Sequence, residues 1–222
     1  MTIQYVIAKN PVIPVRIAPS EKSEMTNQIL FGEYFQVLER KDKWSFISTY
    51  PDLYTGWINN NNNIEYISIE EYHEGLKRQP FYLDEPIQKV FKRNTENGLF
   101  VPGGSCLTKV DIENGTFTIG NEEYSISIPK DTQRRTIREK ITHDTEKYLG
   151  APYLWGGKTI FGMDCSGFIQ IVFRMGGMFL PRDSSEQVKE GTTISFIEQA
   201  APGDLAFFDN EEGVITHVGI LT

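Results

Sequence analysis

The chain has 222 residues, 39% of them hydrophobic and 12% aromatic, enough apolar mass for two or three small domains with real cores. Thirty acidic against 22 basic residues give a net charge of −8, which excludes nucleic acid, polyphosphate or an anionic membrane held by bulk charge. Two cysteines, Cys106 and Cys165, are too few for a disulfide framework or a structural zinc site, so no metal or cofactor is implied.

The N-terminus lacks the charged start, long apolar core and cleavage site of a signal peptide, and no later run is long enough to span a bilayer. As written, the sequence implies a cytoplasmic protein; with a signal peptide removed it would be periplasmic or exported. From Val12 to Ile67 short β-rich runs alternate with turn signals, which predicts a small barrel over residues 1–67. Val15-Arg16, Pro19-Ser20, Gly32, Trp44 and Gly56-Trp57-Ile58 resemble, in that order, a bacterial SH3-like domain, with both tryptophans expected in its core. Residues 68–80 are charged and read as a short helix or linker, on which His73 is solvated and has no role.

Between residues 81 and 128, strand-like runs are split by Asn97-Gly98, Gly103-Gly104, Asn114-Gly115 and Gly120-Asn121. Such turn pairs predict a second all-β module. It resembles a second SH3-like domain, in which Cys106 is a small buried residue. From 129 the pattern turns helical, with Ile137, Ile141 and Leu149 on related faces and His143 exposed or capping; this helix opens a third domain over 129–222.

That domain is organised around Cys165. Phe168 to Met175 form an apolar run broken only by Gln170 and Arg174, four apart and so on one helical face. Asp164 is a good N-cap and Gly176-Gly177 a good stop, so the run predicts a largely buried helix with a thiol in its first turn. Unsatisfied N–H groups and the positive end of the helix dipole favour thiolate there. The Asp164 carboxylate opposes it, so a cationic partner is required. His217, in a strand-like run after DLAFF and the turn DNEEG, is the candidate base.

Tyr153-Leu154-Trp155-Gly156-Gly157, Asp164-Cys165-Ser166-Gly167-Phe168, Pro181-Arg182-Asp183-Ser184-Ser185, Pro202-Gly203-Asp204-Leu205 and His217-Val218-Gly219-Ile220 together resemble the NlpC family of bacterial cell-wall cysteine peptidases. The resemblance implies an α+β fold: a papain-like catalytic domain preceded by two small all-β SH3-like barrels. It implies Cys165 as nucleophile, His217 as base, the Cys165 N–H as oxyanion donor and Tyr153 at the reacting centre. The orienting residue of the family lies beyond the base on the next strand, past Thr222, which predicts a sequence shortened at its C-terminus and weakly active or inactive in that form.

SH3-like domains before such a domain, with Asp164 and Arg182-Asp183-Ser184, resemble the branch that cleaves γ-D-glutamyl-diaminopimelate bonds in murein peptides with a free N-terminal L-alanine. The resemblance assigns Asp164 and Ser184 to the free amine, Ser166 to substrate binding, and Tyr54 to closing the pocket, with Glu21 or Glu24 assisting. Two other readings stand beside it: a catalytically silent module that binds wall peptides, and a general wall amidase of the same superfamily.

Overall fold

Short β-branched and aromatic runs punctuated by glycine and asparagine give the N-terminal part its strands. The computed structural model describes residues 3–77, 80–96, 98–127 and 135–222. Asn97 and the first residues of the helical stretch expected from 129 lie outside them. The chain divides into two compact units, Met1–Lys130 and Asp131–Thr222.

The first unit opens with β1 (Gln4–Ala8), β2 (Val12–Arg16), β3 (Met25–Leu30), β4 (Tyr34–Lys41), β5 (Trp44–Thr49), β6 (Thr55–Asn59) and β7 (Ile64–Ile67). They form one antiparallel sheet in the order β3-β2-β6-β5-β4-β1-β7. Val6, Ile13, Val15, Ile29, Phe35, Ile47 and Ile58 fill its core. Helix α1 (Ile69–Lys77) follows. Next come β8 (Phe81–Tyr82), β9 (Ile87–Lys92), β10 (Gly98–Pro102), β11 (Cys106–Asp111), β12 (Thr116–Ile119) and β13 (Glu122–Ile126), in the order β10-β9-β13-β12-β11-β8.

The two sheets are fused rather than separate. Ile7 and Phe31 of the first region pack with Leu83, Val90, Val101, Leu107 and Phe117 of the second in one core. Gly32 makes this join possible. It sits at φ +78, and a Cβ there would lie 1.8 Å from the Cys106 carbonyl oxygen, so only glycine lets the two backbones meet. The Cys106 N–H then donates to the Phe31 carbonyl at 2.9 Å. Trp44 and Trp57, expected in the core, are only half-buried. Trp57 stacks obliquely against Phe46 at 5.2 Å, while smaller aliphatic residues fill the interior.

The second unit begins with α2 (Ile137–Glu146), capped by Thr136 in a reciprocal box with Glu139. Of the three apolar residues expected to share its inner face, Ile141 is buried but Ile137 and Leu149 are exposed. The helix ends at Glu146, so Leu149 belongs to the following turn and not to the face that Ile141 defines. Then come β14 (Lys158–Thr159), β15 (Gly162–Met163), α3 (Cys165–Met175), α4 (Ser184–Gln187), β16 (Leu205–Asp209) and β17 (Ile215–Ile220). Helix α3 packs against α2, β14, α4 and β17. Its burial is more complete than periodicity alone shows, because even Gln170 and Arg174 are covered. Gln170 donates to the Leu180 carbonyl at 3.0 Å. Burying Ile169, Ile171, Val172 and Phe173 stabilises this packing by roughly 1.5–3 kcal/mol per side chain. No helix among the described residues is long and apolar enough to cross a membrane.

Candidate active site

Cys165 is the first residue of α3 and is half-buried. Asp164 precedes it as N-cap, with extended backbone and its Oδ1 accepting from the Gly167 N–H at 2.7 Å. Gly167 leaves room for the glycine-rich loop, since a Cβ there would lie 2.3 Å from the Gly157 carbonyl oxygen. The loop is thereby held onto the first turn of the helix: the Gly156 N–H donates to Asp164 Oδ2 at 2.8 Å and the Asp164 N–H to the Gly157 carbonyl at 3.1 Å.

Beneath the nucleophile lies a buried polar network. Arg182 Nη2 donates to Asp164 Oδ2 at 2.6 Å and Nη1 to Ser166 Oγ at 2.8 Å. The Ser166 hydroxyl faces Asp164 Oδ1 at 3.4 Å. Gln187 Nε2 donates to the carbonyls of Ser166 at 3.0 Å and Pro181 at 2.8 Å. Asp164 and Arg182 are both almost fully buried, so this ion pair sits in a medium that screens charge weakly.

Tyr153 stands at the mouth of the site, 66% exposed, and bridges to Met163 beside the helix start. Its phenol is held above the ordinary tyrosine value, first by partial burial and then by the neighbouring Cys165 and Asp164, with Arg182 pulling the other way. These four groups thus form one electrostatic cluster. His217 lies on β17, which pairs with β16 and packs against α3; it is exposed and opposite Phe208, whose ring centroid is 5.7 Å from its own. The hairpin predicted to carry the histidine is therefore present, on the strand that flanks the nucleophile's helix. Asp204 does not serve the imidazole: its carboxylate accepts from the Ala201 N–H at 2.8 Å and pairs with Arg138 at 2.8 Å, which together lower its pKa. Among the described residues no group of three or more His, Cys, Asp or Glu is placed to hold a metal ion.

Residues 150–222 match the NlpC/P60 family, and residues 15–62 match the bacterial dipeptidyl-peptidase SH3 domain. Over 208 residues the chain is 31% identical to the γ-D-glutamyl-L-lysine dipeptidyl-peptidase of Bacillus subtilis, covering 87% of this chain and 68% of that protein. The chain belongs to the NlpC/P60 family of peptidases. It is also 49% identical to the probable endopeptidase p60 of Listeria innocua, but over only 77 residues, 35% of this chain and 16% of that one. The crystal structure of an NlpC/P60 family protein from Bacillus cereus is similar in fold, with a TM-score of 0.78 at 19% identity over 97% of this chain and 87% of that one.

Two residues expected to bind substrate, Asp164 and Ser166, take part in the buried polar network of this NlpC/P60 chain. Asp164, expected to receive a substrate ammonium, is turned inward: its two oxygens already meet the N–H groups of Gly156 and Gly167, the Arg182 guanidinium and the Ser166 hydroxyl. Ser166, expected to touch substrate, is buried with its hydroxyl between Arg182 and Asp164. Ser184 opens α4 and is buried. Tyr54, in the first unit, is half-buried just before β6, and its carbonyl accepts from the Thr49 N–H at 2.9 Å. Of the two acidic candidates there, Glu21 is tied to Arg16 at 3.1 Å and to Asn59 at 2.9 Å. The structural roles of Arg182 and Gln187 escaped sequence reasoning. Their partners, Asp164 and Ser166, lie 18 and 21 residues away, beyond any periodic signal.

Proposed function

We propose that this protein is a cysteine endopeptidase that hydrolyses the γ-D-glutamyl-diamino acid bond of short murein peptides with a free N-terminal L-alanine, in peptidoglycan recycling or turnover. One observation carries the reading. The match to the Bacillus subtilis dipeptidyl-peptidase runs through 87% of this chain, whereas the p60 match takes in 35%. The resemblance therefore extends beyond the catalytic region into the part that includes the SH3-like domain. We read the second unit as papain-like and the second sheet as another SH3-like barrel.

In this reading the Cys165 thiolate attacks the γ-carbonyl carbon of D-glutamate, and the oxyanion is received by the Cys165 N–H at the helix start. His217 first takes the thiol proton and then gives it to the departing amine as the C–N bond breaks. Water hydrolyses the resulting thioester and restores the thiol. Tyr153 lies beside the reacting centre. Diaminopimelate is the proposed diamino acid, and Ser184 and Tyr54 are assigned to the substrate by resemblance.

The test uses protein expressed from its full-length gene. L-Ala-γ-D-Glu-diaminopimelate is compared with its lysine counterpart and with the N-acetylated form of each, and products are identified by mass spectrometry. Release of L-Ala-D-Glu from the free-amine peptides, with acetylated ones spared, supports the reading. Equal cleavage of both forms moves the assignment to a general wall hydrolase.

A further inference from the structure

The first residue of a helix is a favourable place for a thiolate, but Cys165 has a carboxylate as its chain neighbour, and a second negative charge beside the first is costly. The structure shows what offsets it. A guanidinium lies 2.6 Å from that carboxylate, with side-chain exposures of 2% for Arg182 and 8% for Asp164. Its other terminal nitrogen holds Ser166 Oγ, so Arg182 grips the residues on both sides of the nucleophile.

We propose that Arg182 is a positioning residue that acts on Cys165 through Asp164, cancelling the cap's charge so that the carboxylate can hold the helix start without suppressing the thiolate. The inference rests on Cys165 being the nucleophile proposed above. A neutral asparagine would cap this helix about as well. A charged cap, however, recruits the arginine that ties α3 to the segment before α4, and the pair adds that link at little net charge. Because Arg182 holds the residues on both sides of Cys165, the two halves of the pair act on the thiol in opposite directions. The other charged or titratable side chains around α3 include Lys158 of β14, Glu186 of α4 and His217 of β17, the charged residues of α2 from Arg138 to Glu146, His143 among them, and Tyr153 and Asp183 on the adjoining loops. They are common to all the variants below, so differences among variants report on the pair.

The test follows carboxamidomethylation of Cys165 by iodoacetamide across pH in the full chain, read by mass spectrometry of the peptide that carries it. Arg182→Met should move the profile to higher pH by about one unit or more, because an uncompensated carboxylate then adjoins the thiol. Asp164→Asn should move it to lower pH by a similar amount, because the guanidinium remains and the carboxylate beside the thiol is gone. The double variant should return close to the parent. A purely structural role would loosen the helix start in both single variants and move their profiles in the same direction. Shifts of the same sign, or no shift in either, would overturn the proposal. If Arg182→Met loses its circular dichroism signal, the comparison of Asp164→Asn with the double variant decides: the single must react at lower pH, and coincident profiles refute the idea. Because the readout is alkylation and not hydrolysis, failure of the substrate assignment leaves this result intact.

Discussion

Replacing Lys9 with methionine probes what locks the two sheets of the first unit together. The Lys9 ammonium, on a side chain only 8% exposed, lies 3.0 Å from Glu65 and 2.7 Å from Glu122, while Lys92 also reaches Glu122 at 2.7 Å. Lys9 and Glu65 belong to the first module and Glu122 to the second. Burial works against the Lys9 charge, but the two carboxylates outweigh it and raise its pKa. The Glu122 carboxyl is likewise opposed by burial, yet hydrogen bonds from Lys9, Lys92 and Tyr124 push it down to about 2. Methionine fills the lysine stem's space and removes the charge. Breaking a buried pair from one side costs roughly 3–5 kcal/mol. Glu122 keeps Lys92, and Glu65 keeps two donors of Asn121 at 3.1 and 2.8 Å, so the lower end, about 3 kcal/mol, is expected. The pH dependence has a defined sign. A carboxyl whose folded pKa lies below its unfolded value of 4.5 contributes stability that is complete above 4.5 and lost as the pH falls through about 2. Lys9→Met should therefore lose less over that window than the parent. Urea unfolding followed by Trp44 and Trp57 fluorescence in a Trp155→Phe background, at pH 7 and pH 3, measures both effects. A variant within about 0.5 kcal/mol of the parent at pH 7, or with the same pH dependence, refutes the reasoning.

Gly32→Ala should destabilise the same unit by about 3 kcal/mol or more, combining left-handed backbone strain with a clash against the Cys106 carbonyl; the same urea titration checks it. Tyr153→Phe should lower kcat roughly tenfold or more on the free-amine peptide while Cys165 alkylation persists, since a phenol is a protonated hydrogen-bond donor at neutral pH and its surroundings here raise its pKa further. Asp164→Asn should leave the ratio of free-amine to acetylated cleavage unchanged, because its oxygens are occupied within the protein; a collapse of that ratio would mark it as the ammonium receptor.

Much of the second unit was legible because its signals are local. Asp164, an unbroken apolar run and a glycine pair mark the start, body and end of α3, and a strand-turn-strand pattern marks the hairpin bearing His217. Periodicity reports which residues share a face, but not what covers it. Hence Gln170 and Arg174 were recognised as one stripe, yet their burial came as news from the structure, and Ile137 and Leu149 proved exposed. Asp164 shows the same limit: a cap and a substrate carboxylate look alike in sequence, and its contact with the arginine eighteen residues on is visible only in the structure. The fusion of the two β modules through Ile7 and Phe31 was hidden in the same way, since each strand advertises only its own apolar face.

The most direct measurement is hydrolysis of L-Ala-γ-D-Glu-diaminopimelate by the parent and by Cys165→Ala, both expressed from the full-length gene and matched for circular dichroism. The parent should release L-Ala-D-Glu and free diaminopimelate, and the variant should release neither while keeping the same fold. Turnover by Cys165→Ala near the parent rate would contradict the assignment of Cys165 as nucleophile.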